Sequence, residues 1–291
     1  MIIMGGRSPA DNLLMILMKI KINIILAFLI LLFSSQIGLG ADRFEMRDSV
    51  LVVKSGVRTI PDYAFRDRED IAEVRFESPS SLVSIGDYAF IGCDNLREME
   101  LPRSLRSLGE GAFRECKSLE KMTIPSGVTK ISKYLFYWCE GLKEVNLPAG
   151  LSVIERNAFG YCRSLASLSL PSGLKNIGSN AFSCCESLEE VVVPASVKEL
   201  ESYAFSDCRN LRRITFPKNN SLLGELILSG CDNMEVIYEL SALPPKFDCN
   251  SFIFEPDETQ KYSRVVLKVA PGKQGAYRAA DGWKLFQKIE D

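Results

Sequence analysis

Seven cysteines, Cys93, Cys116, Cys139, Cys162, Cys185, Cys208 and Cys231, recur at an unbroken interval of 23 residues. Thiols can form disulfides, ligate metals or act as nucleophiles, and each use needs its own geometry. A zinc site gathers four ligands around one ion, with sulfur at ~2.3 Å, which a row carrying one sulfur per 23 residues does not wrap. The chain has no histidine. That removes Ser/His/Asp and Cys/His nucleophile arrangements and every zinc site that uses imidazole. Two carboxylates, Glu98 and Glu100, would stand ~7 Å apart on one face of a strand, within the range of glycosidase pairs. Nothing in the surrounding sequence raises either pKa or builds a pocket. The sequence therefore assigns no catalytic residue, no metal and no cofactor, and predicts a protein that is not an enzyme.

The elements that carry the cysteines repeat with them. In the coil that starts at Leu142, the inward set reads Leu142, Val145, Leu147, Leu151, Ile154, Ala158, Phe159 and Cys162, a spacing that begins as a strand and ends as a helical turn. Prolines 102, 125, 148, 171, 194 and 217 end the first strand, because proline cannot donate to a ladder. Phe90, Phe113, Phe136, Phe159, Phe182 and Phe205 each precede a ladder cysteine by three residues and read as a stacked core column. A fixed period of 20 to 29 residues on an aliphatic frame is the mark of stacked coils that reuse the same inward positions. Parallel strands at ~4.8 Å would give eight coils a length of about 40 Å.

That stacking leaves more than one chemistry for the thiols. Cα atoms ~4.8 Å apart lie inside the disulfide window, so distance alone leaves pairing open. Parallel Cβ directions and an odd number favour buried free thiols acting as small hydrophobes. Cys184 lies off the ladder, as a partly exposed thiol or a structural filler, and Cys249 falls in the C-terminal segment.

The bounds follow from breaks in the period. Residues 1–40 read as a signal peptide, with a true start at Met18: Lys19 and Lys21, then the apolar run Ile24 to Phe33, then Gly38-Leu39-Gly40 before Ala41. The alternative is an uncleaved anchor. Without that segment 32 basic and 36 acidic residues remain, a balance unsuited to nucleic acid. Residues 41–70 form an N-terminal cap or first partial repeat, with Arg68 where cysteine belongs. Residues 71–233 hold the repeats, with two extra residues around Ser78 to Ser81. Residues 234–291 abandon the period and cap the last coil, with an extended run Arg264 to Val269 and a helix-like Gly275 to Phe286.

The pattern Leu-x-x-Ile-x-Ile-Pro-x-x-Val-x-x-Ile-Gly-x-x-Ala-Phe-x-x-Cys, followed almost completely by Leu165 to Cys185, resembles the BspA-type leucine-rich repeat proteins of Bacteroides-like anaerobes. The tail around Val269-Ala270-Pro271-Gly272-Lys273 and Asp281-Gly282-Trp283 is similar to the cap of such proteins. The resemblance implies a leucine-rich repeat solenoid: a right-handed coil of 23-residue repeats, with short parallel strands plus short helical turns, mainly β with a small α/β C-terminal cap. It also implies a secreted or cell-surface protein, with some relatives linked to adhesion to host matrix, host cells or other bacteria. No catalytic residue comes with it.

Function is then sought among residues that do not repeat. Outward residues of the first strand would form a regular concave face: Glu73 and Arg75, Glu98 and Glu100, Lys121 and Thr123, Glu144 and Asn146, Ser167 and Ser169, Glu190 and Val192, Arg213 and Thr215. This mixed surface suits a protein or glycan partner of a monomeric protein, and suits an ordinary solvated face as well. Tyr134, Tyr137 and Trp138 break the local pattern and form a second candidate, an aromatic patch for contacts or for packing against a neighbouring coil.

Overall fold

The structure is a computed structural model and describes residues 43–216, 222–245, 253–255 and 258–291. The segment expected to be a signal peptide, Pro217 and Cys249 lie outside the described residues. The chain divides into Met1–Glu45, of which only residues 43–45 are described, and Met46–Asp291, which holds the coils.

Each coil contributes two short strands, and each strand pairs in parallel with its counterpart one repeat away. In the first column Lys121↔Glu144, Glu190↔Arg213 and Arg213↔Val236 pair at the repeat interval. In the second, Lys130, Val153, Asn176, Glu199 and Leu222 follow one another in a five-stranded sheet. Val50 pairs with Glu73, while Thr59 pairs with Ser84, so the register lengthens by two residues where Ser78 to Ser81 are inserted. A loop absorbs such an insertion at little entropic cost.

The inward columns form a continuous core. Leu142, Val145, Leu151, Ile154, Ala158, Phe159 and Cys162 are buried, and of the expected set only Leu147 is half-buried. The phenylalanine rings stack face to face from Phe65 to Phe205, with centroids 5.1 to 5.7 Å apart and planes within 21°.

The segment expected as a helical turn is a run of tight turns. Two residues before and two after each phenylalanine have positive φ, as at Asn157 (55°) and Tyr161 (63°). The N–H groups then split alternately. Ala158, Gly160 and Cys162 donate within their own turn, whereas Asn157, Phe159 and Tyr161 donate to Ser179, Ala181 and Ser183 of the following coil. Every described coil directs these cross-coil N–H groups the same way, towards the C-terminal end. Continuing as a helix would spend all of them inside the coil and leave neighbouring coils unjoined at this edge.

Two other expectations change. Ser167 and Ser169 lie in no strand, and Leu168 between them is only half-buried. Ser-Leu-Ser-Leu lacks the β-branched residues that favour a pleated, half-buried surface. The first-column sheet also continues past residue 233: Val236–Glu239 keeps the repeat register, and Val266–Val269 and Lys288–Glu290 extend the same sheet in parallel. The C-terminal segment adds a helix at Thr259–Arg264. Its helix-like tail is a helix, Gln274–Ala279, and a 3-10 turn, Trp283–Leu285, separated near Gly282, whose φ is +76°.

Candidate functional site

The ladder thiols have a polar task that the sequence reading missed. The Sγ of Cys116 lies 3.2 Å from the Phe90 carbonyl oxygen of the preceding coil, and the contact recurs from Cys93 to Cys231 at 3.0 to 3.3 Å. Phe90 O also accepts the N–H of Cys93, so both lone pairs of a buried carbonyl are used. A donor is wanted at this point, and cysteine is an apolar-sized side chain that carries one. The eight described cysteines are free thiols. Burial pushes the thiol of Cys93 up to about 12, and it holds those of Cys116 to Cys231 well above the usual range, which keeps the buried ladder in the neutral thiol form.

The strand face is where expected, and its charges are largely paired with one another. Arg75 makes a two-pronged contact with Glu73. Lys121 Nζ reaches Glu144 at 2.8 Å, Asn146 bonds Glu144 and Thr123, and Arg213 lies 3.8 Å from Glu190. The Lys121 ammonium, then the Asn146 amide, hold the Glu144 carboxyl below its ordinary range. Ser167 and Ser169 are exposed but outside any strand, and Val192 is 56% exposed.

Glu98 and Glu100 are different. Among the described residues neither carboxylate has an ion-pair or hydrogen-bond partner. They line two grooves of about 830 and 940 Å³ that share Glu98, Met99, Glu100, Leu101 and Arg103. The first-column sheet is interrupted here, since the strand Glu98–Met99 pairs with Glu73–Phe76 but not with Lys121–Thr123. The groove thus has open carboxylates, a guanidinium at Arg103 with no ion pair among the described residues, and an apolar floor at Met99.

The aromatic patch is larger than predicted. Tyr134 and Tyr137 meet edge to face at 5.4 Å, and Trp138 packs on Tyr161 of the next coil at 5.0 Å with 30° between planes. Trp138 is nonetheless 36% exposed. Trp138 (φ +64°) and Tyr161 (φ +63°) occupy left-handed backbone positions, which cost a non-glycine residue roughly 1–2 kcal/mol. Other coils place Asp67, Gly92, Glu115, Cys184, Asp207 and Gly230 there.

The C-terminal segment buries a carboxylate. Glu239 is fully buried. Its Oε1 accepts the Ser241 N–H at 2.9 Å and the Tyr277 hydroxyl at 3.4 Å, while Oε2 has no partner among the described residues. Burial pushes its carboxyl up to about 7. Trp283, packed edge-on against Tyr277 and Phe216, donates to the Pro245 carbonyl.

The family model for the BspA type leucine rich repeat region (6 copies) matches residues 48–162 and 129–243. The chain belongs to the BspA-type leucine-rich repeat family. Two solved structures share its architecture. A leucine-rich repeat protein from Bacteroides ovatus is 24% identical with a TM-score of 0.51; the match covers 78% of this chain and 64% of that one, a little under two thirds of its length. A leucine rich cell surface protein from Faecalibacterium prausnitzii is 19% identical, with a TM-score of 0.50 and coverage of 83% and 78%. The leucine rich repeat protein of T. pallidum is 27% identical, with a TM-score of 0.46 and coverage of 72% and 84%. No curated protein matches significantly in sequence. In this BspA-type protein the inward cysteine, phenylalanine and leucine columns account for the family pattern, while Glu98, Glu100, Trp138, Tyr161 and Glu239 lie outside it.

Proposed function

We propose that this BspA-type protein is exported and binds a macromolecular partner, protein or glycan, through its strand face, without catalysis. Export rests on the residue pattern of 1–40. The observation that carries the binding reading is the groove at Glu98, Glu100 and Arg103, where the face stops satisfying its own charges. Unpaired carboxylates beside an apolar floor can be desolvated by a partner without first breaking an internal ion pair. The test is a binding screen of the protein against matrix proteins and glycans, repeated with Glu98→Ala/Glu100→Ala. Loss of the bound partner with an unchanged melting midpoint is expected; binding that survives the double substitution would sink the assignment to this groove.

A structural spacer of the cell envelope is the second reading, favoured by the Lys121–Glu144 and Arg213–Glu190 pairs that bridge neighbouring coils elsewhere on the face. It predicts that no partner is retained in that screen.

A further inference from the structure

We infer that the turn edge carries a saccharide-binding platform, formed by the exposed side of Trp138 and backed by Tyr161 and Tyr137, separate from the strand face. The inference does not depend on the groove reading. Its first support is a departure from the repeat's own economy. The backbone position two residues after the core phenylalanine is left-handed in every described coil; glycine or aspartate, which suit that conformation, fill it in four of them, and Glu115 and Cys184 fill it in two more. Two consecutive coils instead carry tryptophan and tyrosine, the bulkiest residues in the column, in the least suitable conformation. Such strain persists where something other than folding requires the side chain.

The neighbouring residues are arranged around the rings. Gly160 lies beneath Tyr137: a Cβ at Gly160 would meet Tyr137 Cδ2 at 3.0 Å and Cε2 at 3.1 Å, so a larger residue would displace the ring. Arg114 sits 5.3 Å from the Tyr137 ring centre and Arg163 sits 5.6 Å from that of Tyr161. Arg163 is itself held by Glu140 at 3.4 Å and by Glu186. The protein's own cations therefore occupy faces of the tyrosines, while Trp138 is left 36% exposed.

The size and shape of the patch select the ligand. A fully buried aromatic side chain covers ~150–250 Å², so the open part of Trp138 and its neighbours offers on the order of 100–200 Å². A specific protein interface needs about 800 Å² per partner. One pyranose ring matches the smaller figure. A quaternary ammonium wants rings on several sides, but Trp138 lies over Tyr161 with centroids 5.0 Å apart and 30° between planes, so the stack presents the outer side of one ring system and not a box. A sugar ring places its C–H face on such a surface and its hydroxyls at the rim, where the Glu140 and Glu186 carboxylates are half-buried and can accept hydrogen bonds.

The test uses the full protein and linear trisaccharides of glucose, galactose, mannose and N-acetylglucosamine. The chain has two tryptophans, and Trp283 is fully buried, so a saturable change in tryptophan emission reports Trp138. At least one trisaccharide is expected to give it, with weak, single-site affinity. Trp138→Asn and Tyr161→Asn place a residue that tolerates left-handed backbone, so both should keep the melting midpoint while weakening the sugar by about tenfold or more in ligand-observed NMR. Glu98→Ala/Glu100→Ala should bind it normally, which separates failure here from failure of the groove. No saturable response to any of the four sugars overturns the proposal, and so does undiminished binding by Trp138→Asn. A response to tetramethylammonium alone would replace it with a cation site.

Discussion

In the stacked coils a buried carbonyl receives a neutral thiol and a backbone N–H, and the arrangement recurs coil after coil; in the C-terminal segment a buried carboxylate, Glu239, keeps one oxygen with no donor among the described residues. Both regions exclude water, and they handle polarity by different means. Repetition lets one solution, Cys Sγ to Phe O, serve the whole stack, and it uses a group that stays uncharged across the physiological range. The C-terminal segment has a single copy of each contact and holds an acid whose ionisation falls near neutrality. The stack should therefore be indifferent to pH and sensitive to cavities, and the C-terminal segment the reverse.

The largest effect should come from the stack. Phe159 lies between Phe136 and Phe182 with centroids 5.3 and 5.2 Å away. Phe159→Ala should lower unfolding free energy by roughly 3–5 kcal/mol, read from denaturant midpoints, and by the same amount at pH 5 and pH 8. A pH-dependent loss would break the contrast.

Glu239 comes next. Its folded carboxyl titrates at about 7 against an ordinary value of 4.5, so between these limits the folded state binds more protons than the unfolded one. Stability is then fully present below 4.5 and is lost as pH rises towards 7, by on the order of 3 kcal/mol for a shift of this size. Glu239→Gln should flatten that slope in a pH series of urea unfolding curves. An equally steep slope in the variant would show that the burial of Glu239 is not its source.

A smaller effect tests the thiol as donor. Cys162→Ala leaves Phe136 O with only the Cys139 N–H and should cost about 1–2 kcal/mol. Cys162→Ser keeps a donor and should equal or exceed alanine in stability; if the thiol were only a small hydrophobe, serine would rank below. In the native protein the ladder thiols should resist alkylation and all should react after denaturation without reductant. Smallest of all, Lys121→Ala removes an exposed ion pair with Glu144 and should leave the unfolding midpoint unchanged, because solvent screens such pairs.

The stack was legible because its period is printed by inward residues: leucine, phenylalanine and cysteine at fixed intervals can be read without coordinates. The left-handed positions were less visible, since tyrosine, asparagine, glutamate, tryptophan and cysteine share them with glycine and aspartate, and no single residue type marks the column. The thiol donors were hidden for another reason. Burial and hydrogen bonding leave the same cysteine in the sequence, and only the distance to the preceding phenylalanine carbonyl separates them. The strand at Ser167–Ser169 was expected from register and is lost to composition. Glu98 and Glu100 were read as face residues like the rest, because the pairing of Lys121, Glu144, Glu190 and Arg213 across coils is a property of side-chain reach. The C-terminal segment was least legible, since Thr259–Arg264 and Lys288–Glu290 have no repeated counterpart to align with.

The one-way donation along the turn edge has an electrostatic outcome. Each peptide unit has a dipole of about 3.5 D, and units whose N–H groups all face the C-terminal end add along the axis of the stack, as they do in a helix. The last of these N–H groups would form a positive pole. Leu228 N–H is taken by the Ile253 carbonyl, and Gly230 N–H meets Glu258 Oε1 at 3.3 Å. Successive N–H groups in such turns form a concavity that suits an anion, and Glu258 supplies it. Lengthening the protein by another coil would therefore need more than a matching apolar surface: the carboxylate has to move outward with the pole.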